Sequence, residues 1–247
     1  MNDAYKLVFS AALQTWVAVA EHVRARGKQG AARLRTAAVV LAGGASATGG
    51  AQAGPPAVNQ LPTGAQVATG TVGISQTQSA AAASMAISQS SPKAIVNWQT
   101  FNVGANAKVN ITQPSNTSVL LNRVQSSDPS QIFGQIKANG QVFLTNPNGV
   151  YFAPGSSVDV GSFTATTHGI SDANFLSGNY DFSRNGATGS IVNQGSLTAG
   201  LDGYIALLAP EVRNQGVVLA QVGGTVALAA GEGYQLPSKP NAEPLTC

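Results

Sequence analysis

The sequence predicts an all-β chain of short stacked strands, a solenoid, on three observations. Residues 130–166 alternate brief apolar β-formers with Asn, Gly and Pro and carry no helical period. Residues 193–211 recur as 214–232 at an offset of 21, with identities at Asn193/Asn214, Gln194/Gln215, Gly195/Gly216, Gly203/Gly224 and Glu211/Glu232 among others. A fixed period near 20 residues marks a coil that cannot bury its own apolar face and must stack on a neighbour. Charged residues make up only 9% of the chain, against roughly 25% in ordinary soluble proteins. Parallel stacking, with strands about 4.8 Å apart, places like residue over like; it disfavours charge and suits Val, Ile, Ala and Asn ladders. A β-sandwich built from similar hairpins is the competing arrangement, since two copies of a repeat do not separate the two.

The first element is a leader over residues 1–53. Residues 1–23 are apolar and aromatic, residues 24–35 are basic, and residues 36–47 form a short apolar core. Ala51-Gln52-Ala53 then has the small-x-small form of a signal-peptidase site, with Ala45-Ser46-Ala47 as a second candidate. The apolar core is too short for a membrane span, which needs about 20 residues. The basic and apolar zones form a Sec-type signal. With the added front zone, they look like the extended signal peptide of very large Gram-negative exported proteins. An amphipathic helix retained on the protein is the alternative, but it leaves the Ala-x-Ala site unexplained.

The charge balance follows the same division. Residues 1–53 hold six Lys/Arg against two Asp/Glu, a net +4, and residues 54–247 hold seven against eight, a net −1. The basic pI of about 9.2 therefore belongs to the leader. The remainder lacks the positive surface that a phosphate backbone needs, so no nucleic-acid partner is expected.

Residues 54–91 are rich in Gly, Pro, Gln, Ala and Ser. They read as a loosely structured cap segment with one edge strand, Gln66 to Gln76, followed by a polar low-complexity run from Thr77 to Ser91. Capping blocks end-to-end strand pairing, an aggregation hazard at an open edge. At the centre of the strand-and-turn pattern beyond it sits Asn146-Pro147-Asn148-Gly149. Pro presets one turn dihedral, and Asn-Gly is expected to supply the positive φ of a sharp reversal.

No catalytic constellation emerges. His22 lies in the leader and His168 in a Thr-Thr-His-Gly segment, where a solvated turn residue is expected. Cys247 is the single cysteine, which makes neither an internal disulfide nor a zinc site. Among Asp159, Asp172, Asp181 and Asp202, only Asp181 and Asp202 fall one coil period apart. A stacked pair there is the sole hint of the acidic face that a β-helical polysaccharide lyase or hydrolase needs. No phosphate-binding glycine loop or Walker-type lysine is present, and no cofactor is implied.

Read together, Asn97-Trp98-Gln99-Thr100-Phe101-Asn102-Val103-Gly104, Leu120-Leu121-Asn122-Arg123-Val124 and the Asn146–Gly149 tetrapeptide come in a telling order. Their order and spacing resemble the haemagglutination-activity, or two-partner-secretion, domain of filamentous haemagglutinin-like exoproteins. The resemblance runs from about residue 92 to 232. It implies a right-handed parallel β-helix over 92–236 with N-terminal capping strands from 54–91. It implies that residues 237–247 are the tail of a truncated chain. The implied function is a secretion address, not an enzyme. The Sec machinery and signal peptidase deliver it to the periplasm, and a cognate outer-membrane barrel with periplasmic recognition domains receives it. A host or cell-surface receptor would bind through a downstream region. The family's secretion motifs fall here on Asn146, Pro147, Asn148, Gly149, Asn122 and Arg123, and its aromatic cap on Trp98 and Phe101. The second tetrapeptide of many filamentous haemagglutinins, NPNL, has no match; Gln113-Pro114-Ser115-Asn116 stands in its place. A secreted β-helical carbohydrate-active enzyme is the alternative reading.

Overall fold

A coil that turns three corners and returns above its own start needs three strands per turn, and three parallel ladders dominate this chain. The computed structural model describes residues 5–10, 15–20 and 54–236. The chain divides into two units, Met1–Gly50 and Ala51–Cys247. In the first, β1 (Tyr5–Ser10) and β2 (Thr15–Ala20) pair as an antiparallel hairpin.

In the second unit, sheet one stacks β4 (Val72–Gln78), β5 (Ala83–Gln89), β7 (Ala107–Thr112), β10 (Gln135–Ala138), β13 (Ser157–Val160), β17 (Ser196–Ala199) and β20 (Val217–Ala220). Sheet two stacks β3 (Gln66–Thr69), β6 (Lys93–Trp98), β8 (Val119–Val124), β11 (Gln141–Thr145), β14 (Ser162–Thr166), β18 (Tyr204–Leu208) and β21 (Thr225–Ala229). Sheet three holds β9 (Ser130–Ile132), β12 (Val150–Phe152), β16 (Ser190–Asn193) and β19 (Glu211–Asn214). Every pairing along these ladders is parallel except at one end, where β4 lies antiparallel on β5 and β3 antiparallel on β6. This is a parallel β-helix with N-terminal capping strands, and parallel pairing rules out the sandwich. The 21-residue repeat is one coil placed on the next: Ser196 faces Val217, Tyr204 faces Thr225 and Asn193 faces Asn214.

The interior is built from columns. Met85, Val109, Ile136, Val158 and Leu197 lie in register down sheet one. Ala94, Leu120, Val142, Phe163 and Ile205 do the same down sheet two. All are buried in one continuous core. The run from Thr77 to Ser91, expected as loose and polar, instead contains β5. Alternation explains it: Ala83, Met85, Ile87 and Gln89 point inward and are buried, while the Ser and Ala residues between them line the outside. The expected edge strand at 66–76 is two strands, β3 and β4, broken by Gly70 at a φ of 84°.

Between β3 and β21 the chain leaves the solenoid once. After β14 it runs out through residues 167–189, an excursion carrying α1 (Asp172–Ser177) and β15 (Tyr180–Ser183), before returning as β16. Ser171 caps α1 by accepting from the Asn174 amide, and Gly178 ends it at a φ of 83°. A six-residue helix with one buried apolar residue, Phe175, leaves no periodic signal in the sequence. The later strand β22 (Gly233–Leu236) folds back to pair antiparallel with β15. Together they close a second core over the outer face of sheet two, around Ile95, Leu121 and Phe143. The Phe143 ring lies edge-on to Tyr180 at 4.9 Å and to Phe175 at 6.0 Å. Lys93 adds a tether, donating through Nζ to the Leu176 carbonyl at 2.7 Å.

Phe143 points away from the solenoid interior yet is fully buried, so its truncation tests this outer core. Phe143→Ala should lower unfolding stability by roughly 3–5 kcal/mol, read as a shift in the urea midpoint. A cost typical of an exposed position would show that the outer core does not form.

Candidate functional site

The tetrapeptide Asn146–Gly149 is the whole connection between β11 and β12. The Gly149 amide donates to the Asn146 carbonyl at 3.0 Å and closes the turn. The Asn148 amide donates to Asn146 Oδ1, also at 3.0 Å. With Asn first, Pro second and Gly fourth, this is the residue order of a type I turn. Asn148 does not share the positive φ expected of Asn-Gly; only Gly149 has it, at 112°. The Asn146 side chain holds the Asn148 amide, and the left-handed position falls one residue later.

Asn146 is fully buried, whereas Pro147 and Asn148 form an exposed tip. Asn146 Nδ2 donates to the Asp128 carbonyl and to Ser130 Oγ, both at 3.0 Å, in the coil before. Its backbone amide donates to the Thr166 carbonyl at 3.0 Å in the coil after. Asn148 Nδ2 reaches back to the Ser126 carbonyl at 2.7 Å. One asparagine thus ties three successive coils. The cradle formed by Ser126, Asp128 and Ser130 carried no sequence signal beyond being a polar loop.

The other motif residues lie apart from this turn. Asn122 in β8 is fully buried; its Oδ1 accepts from Trp98 Nε1 at 3.0 Å and its Nδ2 donates to the Phe143 carbonyl at 3.2 Å. Trp98 and Phe101 are buried and pack edge to face at 5.4 Å, near the bridge between Thr63 and Thr100. Arg123 turns outward and binds the excursion, donating to the Asp172 carboxylate at 2.7 Å and the Ile170 carbonyl at 3.0 Å. Its side chain is 25% exposed. Ala51, Ala53, His22 and Cys247 lie outside the described residues.

Two expectations are corrected. His168 is not a solvated turn residue: it is fully buried beneath the returning chain. Its Nε2 donates to the Gly231 carbonyl at 3.0 Å, so Nδ1 accepts from Thr167 Oγ1 at 3.3 Å, and the ring packs 5.0 Å from that of Tyr234. Nor do Asp181 and Asp202 stack. Asp181 lies in β15 opposite Gln235, off the solenoid, whereas Asp202 occupies the turn between β17 and β18. The 21-residue spacing fails because the excursion interrupts that coil. Among the described residues, no group of three or more His, Cys, Asp or Glu could hold a metal ion.

Comparison with known proteins matches residues 62–244 to the family described as the TPS secretion domain. Residues 1–50 match the Extended Signal Peptide of Type V secretion system. Two curated relatives are heme/hemopexin-binding proteins of Haemophilus influenzae. One is 33% identical over 181 residues, covering 70% of this chain and 19% of that protein. The other is 36% identical over 126 residues, covering 51% and 13%. The chain thus spans a fifth or less of the relatives' length. Among solved structures, the HMW1 secretion domain from Haemophilus influenzae is 35% identical with a TM-score of 0.66, over 70% of this chain and 46% of that one.

Burial holds the His168 imidazole below its ordinary value of 6.5, with Arg184 acting in the same direction and Gly231 and Glu232 opposing. The unfolded chain therefore binds more protons between the two values, so stability rises with pH there. The contribution should be complete above about pH 6.5 and lost as pH falls through the folded value. Urea midpoints at neutral and mildly acidic pH should show a larger acid loss for the wild type than for His168→Gln. Equal losses would show that His168 is not linked to folding.

Proposed function

The chain belongs to the TPS secretion domain family, behind an extended signal peptide, and from that premise we propose that the Asn146–Gly149 turn is its folding and recognition element. The domain is the secretion address of a two-partner-secreted exoprotein that passes through the periplasm of a Gram-negative bacterium. The observation carrying the proposal is Asn146 itself, a buried side chain bonded into the coil before while its amide is bonded into the coil after. A turn of that kind commits three coils to one register. The exposed Pro147–Asn148 tip is the part a periplasmic recognition domain of the transporter can reach. Asn122 and Arg123 serve the fold, one inside sheet two and the other on the excursion. We read the domain as non-catalytic, because its coil-spaced aspartates, Asp181 and Asp202, do not stack, and Glu211 and Glu232, also 21 apart, are each paired with an arginine, Arg213 and Arg184. The parent exoprotein is read as an adhesin-like surface protein. A second reading of its cargo, haem capture, draws on what the two curated relatives are called; retention of the full-length exoprotein on haemin-agarose tests it.

Asn146→Ala combined with Asn148→Ala strands the Asn148 amide and the Ser130 hydroxyl, at a cost of roughly 2–3 kcal/mol. Secretion through the cognate barrel should drop, with the chain cleared from the periplasm. Gly149→Val should drop further, because a β-branched residue resists positive φ and its Cβ would sit 2.7 Å from the Ser190 carbonyl. Supernatant and periplasmic fractions compared by immunoblot give the readout. Undiminished secretion of both variants would remove the assigned role.

The leader should be removed after Ala53. N-terminal sequencing of secreted material should begin at Gly54; a start before residue 36 would defeat the cleavage proposal.

A further inference from the structure

Connections from sheet two to sheet three are short in most coils: residues 125–129 after β8, 146–149 after β11 and 209–210 after β18. The exception is the excursion, residues 167–189, and the coil directly beneath it is the one closed by the Asn146–Gly149 turn. Both feet of the excursion stand on that turn. At the departing foot, the Asn146 amide donates to the carbonyl of Thr166, the last residue of β14. At the returning foot, the Gly189 amide donates to the Pro147 carbonyl at 3.1 Å. There the two backbones pack without any side chain between them. A Cβ on Gly189 would collide with the carbonyl carbon of Asn148 and the amide of Gly149, and would sit 2.6 Å from the Pro147 oxygen. All three obstacles are backbone, so no rotamer change relieves them. A Cβ on Gly149 would meet the Ser190 carbonyl at 2.7 Å from the other side.

We infer that Gly189 is a positioning residue, the landing point that seats the excursion on the Asn146–Gly149 turn and returns the chain to sheet three in register. The turn then sets the gap between the two feet, and Gly189 lets the returning strand drop into it. β16 starts at the next residue, Ser190, and pairs with β12 so that Ile191 faces Val150 and Asn193 faces Phe152. A return displaced by one residue would move Ile191, fully buried, to the outer face. The inference rests on the reading that this turn governs folding, and it adds a residue outside every motif the sequence offered. The selection against a side chain at Gly189 comes from close approach alone; its φ is not in the left-handed range.

The test separates seating from general stability. The full chain is refolded from urea without any transporter, and hydrogen exchange is read peptide by peptide. Gly189→Ala should raise exchange about tenfold or more across residues 167–193, while β5, β7 and β10 keep wild-type protection. Gly149→Ala should affect the same region, and the double variant should be no worse than the more damaged single one, the signature of a shared contact. Gly200→Ala is the control: its Cβ would meet nothing closer than 3.8 Å, and exchange should not change. Wild-type exchange at β16 in Gly189→Ala would overturn the inference. So would uniform loss of protection in all three sheets, or failure of Gly189→Ala to refold where Gly200→Ala refolds. If exchange changes as expected but transporter-dependent secretion does not fall, the seating stands and the role of the turn in export fails.

Discussion

Every coil must pass directly above the last at the spacing of one backbone hydrogen bond, and the corners are where that is hardest to achieve. Strands superpose readily because side chains alternate in and out. Corners superpose only where nothing projects along the stack. One corner is accordingly a column of glycines, Gly140, Gly161, Gly203 and Gly224, in which a Cβ on each later member would run into backbone of the one before. Gly195 and Gly216 repeat the pattern at another corner. Beside Gly195 and Gly216 the corner carries amides that bond along the stack: Asn193 Nδ2 donates to Asn214 Oδ1 at 2.8 Å and Gln194 Nε2 to Gln215 Oε1 at 2.7 Å. A charge placed in such a column would face its own copy one coil away. The low charge content and the wealth of Gly, Asn and Gln are both consequences of the stack.

The same constraint explains the outer core. A parallel ladder buries one face, and a sheet covered on both sides reads as a near-continuous apolar run. In β11 every residue from Gln141 to Thr145 is buried, and so is every residue of β14. Only an added layer can do that, and the excursion with β22 provides it. Arg123, Lys93, His168 and the β15–β22 ladder are its fastenings, joining segments far apart in the chain: Arg123 to Asp172, Lys93 to Leu176, His168 to Gly231.

What the sequence disclosed follows from coil length. Between β17 and β20 the stacked residues are 21 apart, as Ser196 and Val217 are, and the repeat is plain. Elsewhere the spacing drifts: Lys108 faces Gln135 at 27, Gln135 faces Ser157 at 22, and Ser157 faces Ser196 at 39 because the excursion intervenes. A fixed-period reading therefore sees the last coils and misses the first, which is why β5 looked like low-complexity sequence. The turn at Asn146 was legible because its residue order encodes local geometry. The burial of Asn146, and the landing of Gly189 on it, depend on neighbouring coils and leave no local trace. His168 was misread for the same reason, since its covering comes from residues 231–234.

These long-range fastenings bear on how such a domain can be exported. Coils that stack on their neighbours form locally, each adding to the last. The outer core cannot do so: Ile95 and Leu121 wait for Phe175, and Tyr180 waits for Leu236 across from it in the β15–β22 ladder. Contacts of such sequence separation are slow to form, because the loop between them must close first. A secretion domain that must stay unfolded in transit would gain from that delay. The inner columns can begin to assemble as the first coils emerge, but the fully covered domain exists only once residue 236 has arrived. Speed of local stacking and slowness of closure are therefore both written into one topology. The coil bounded by Asn146 is where they meet, since it is the last short coil before the chain departs on its excursion.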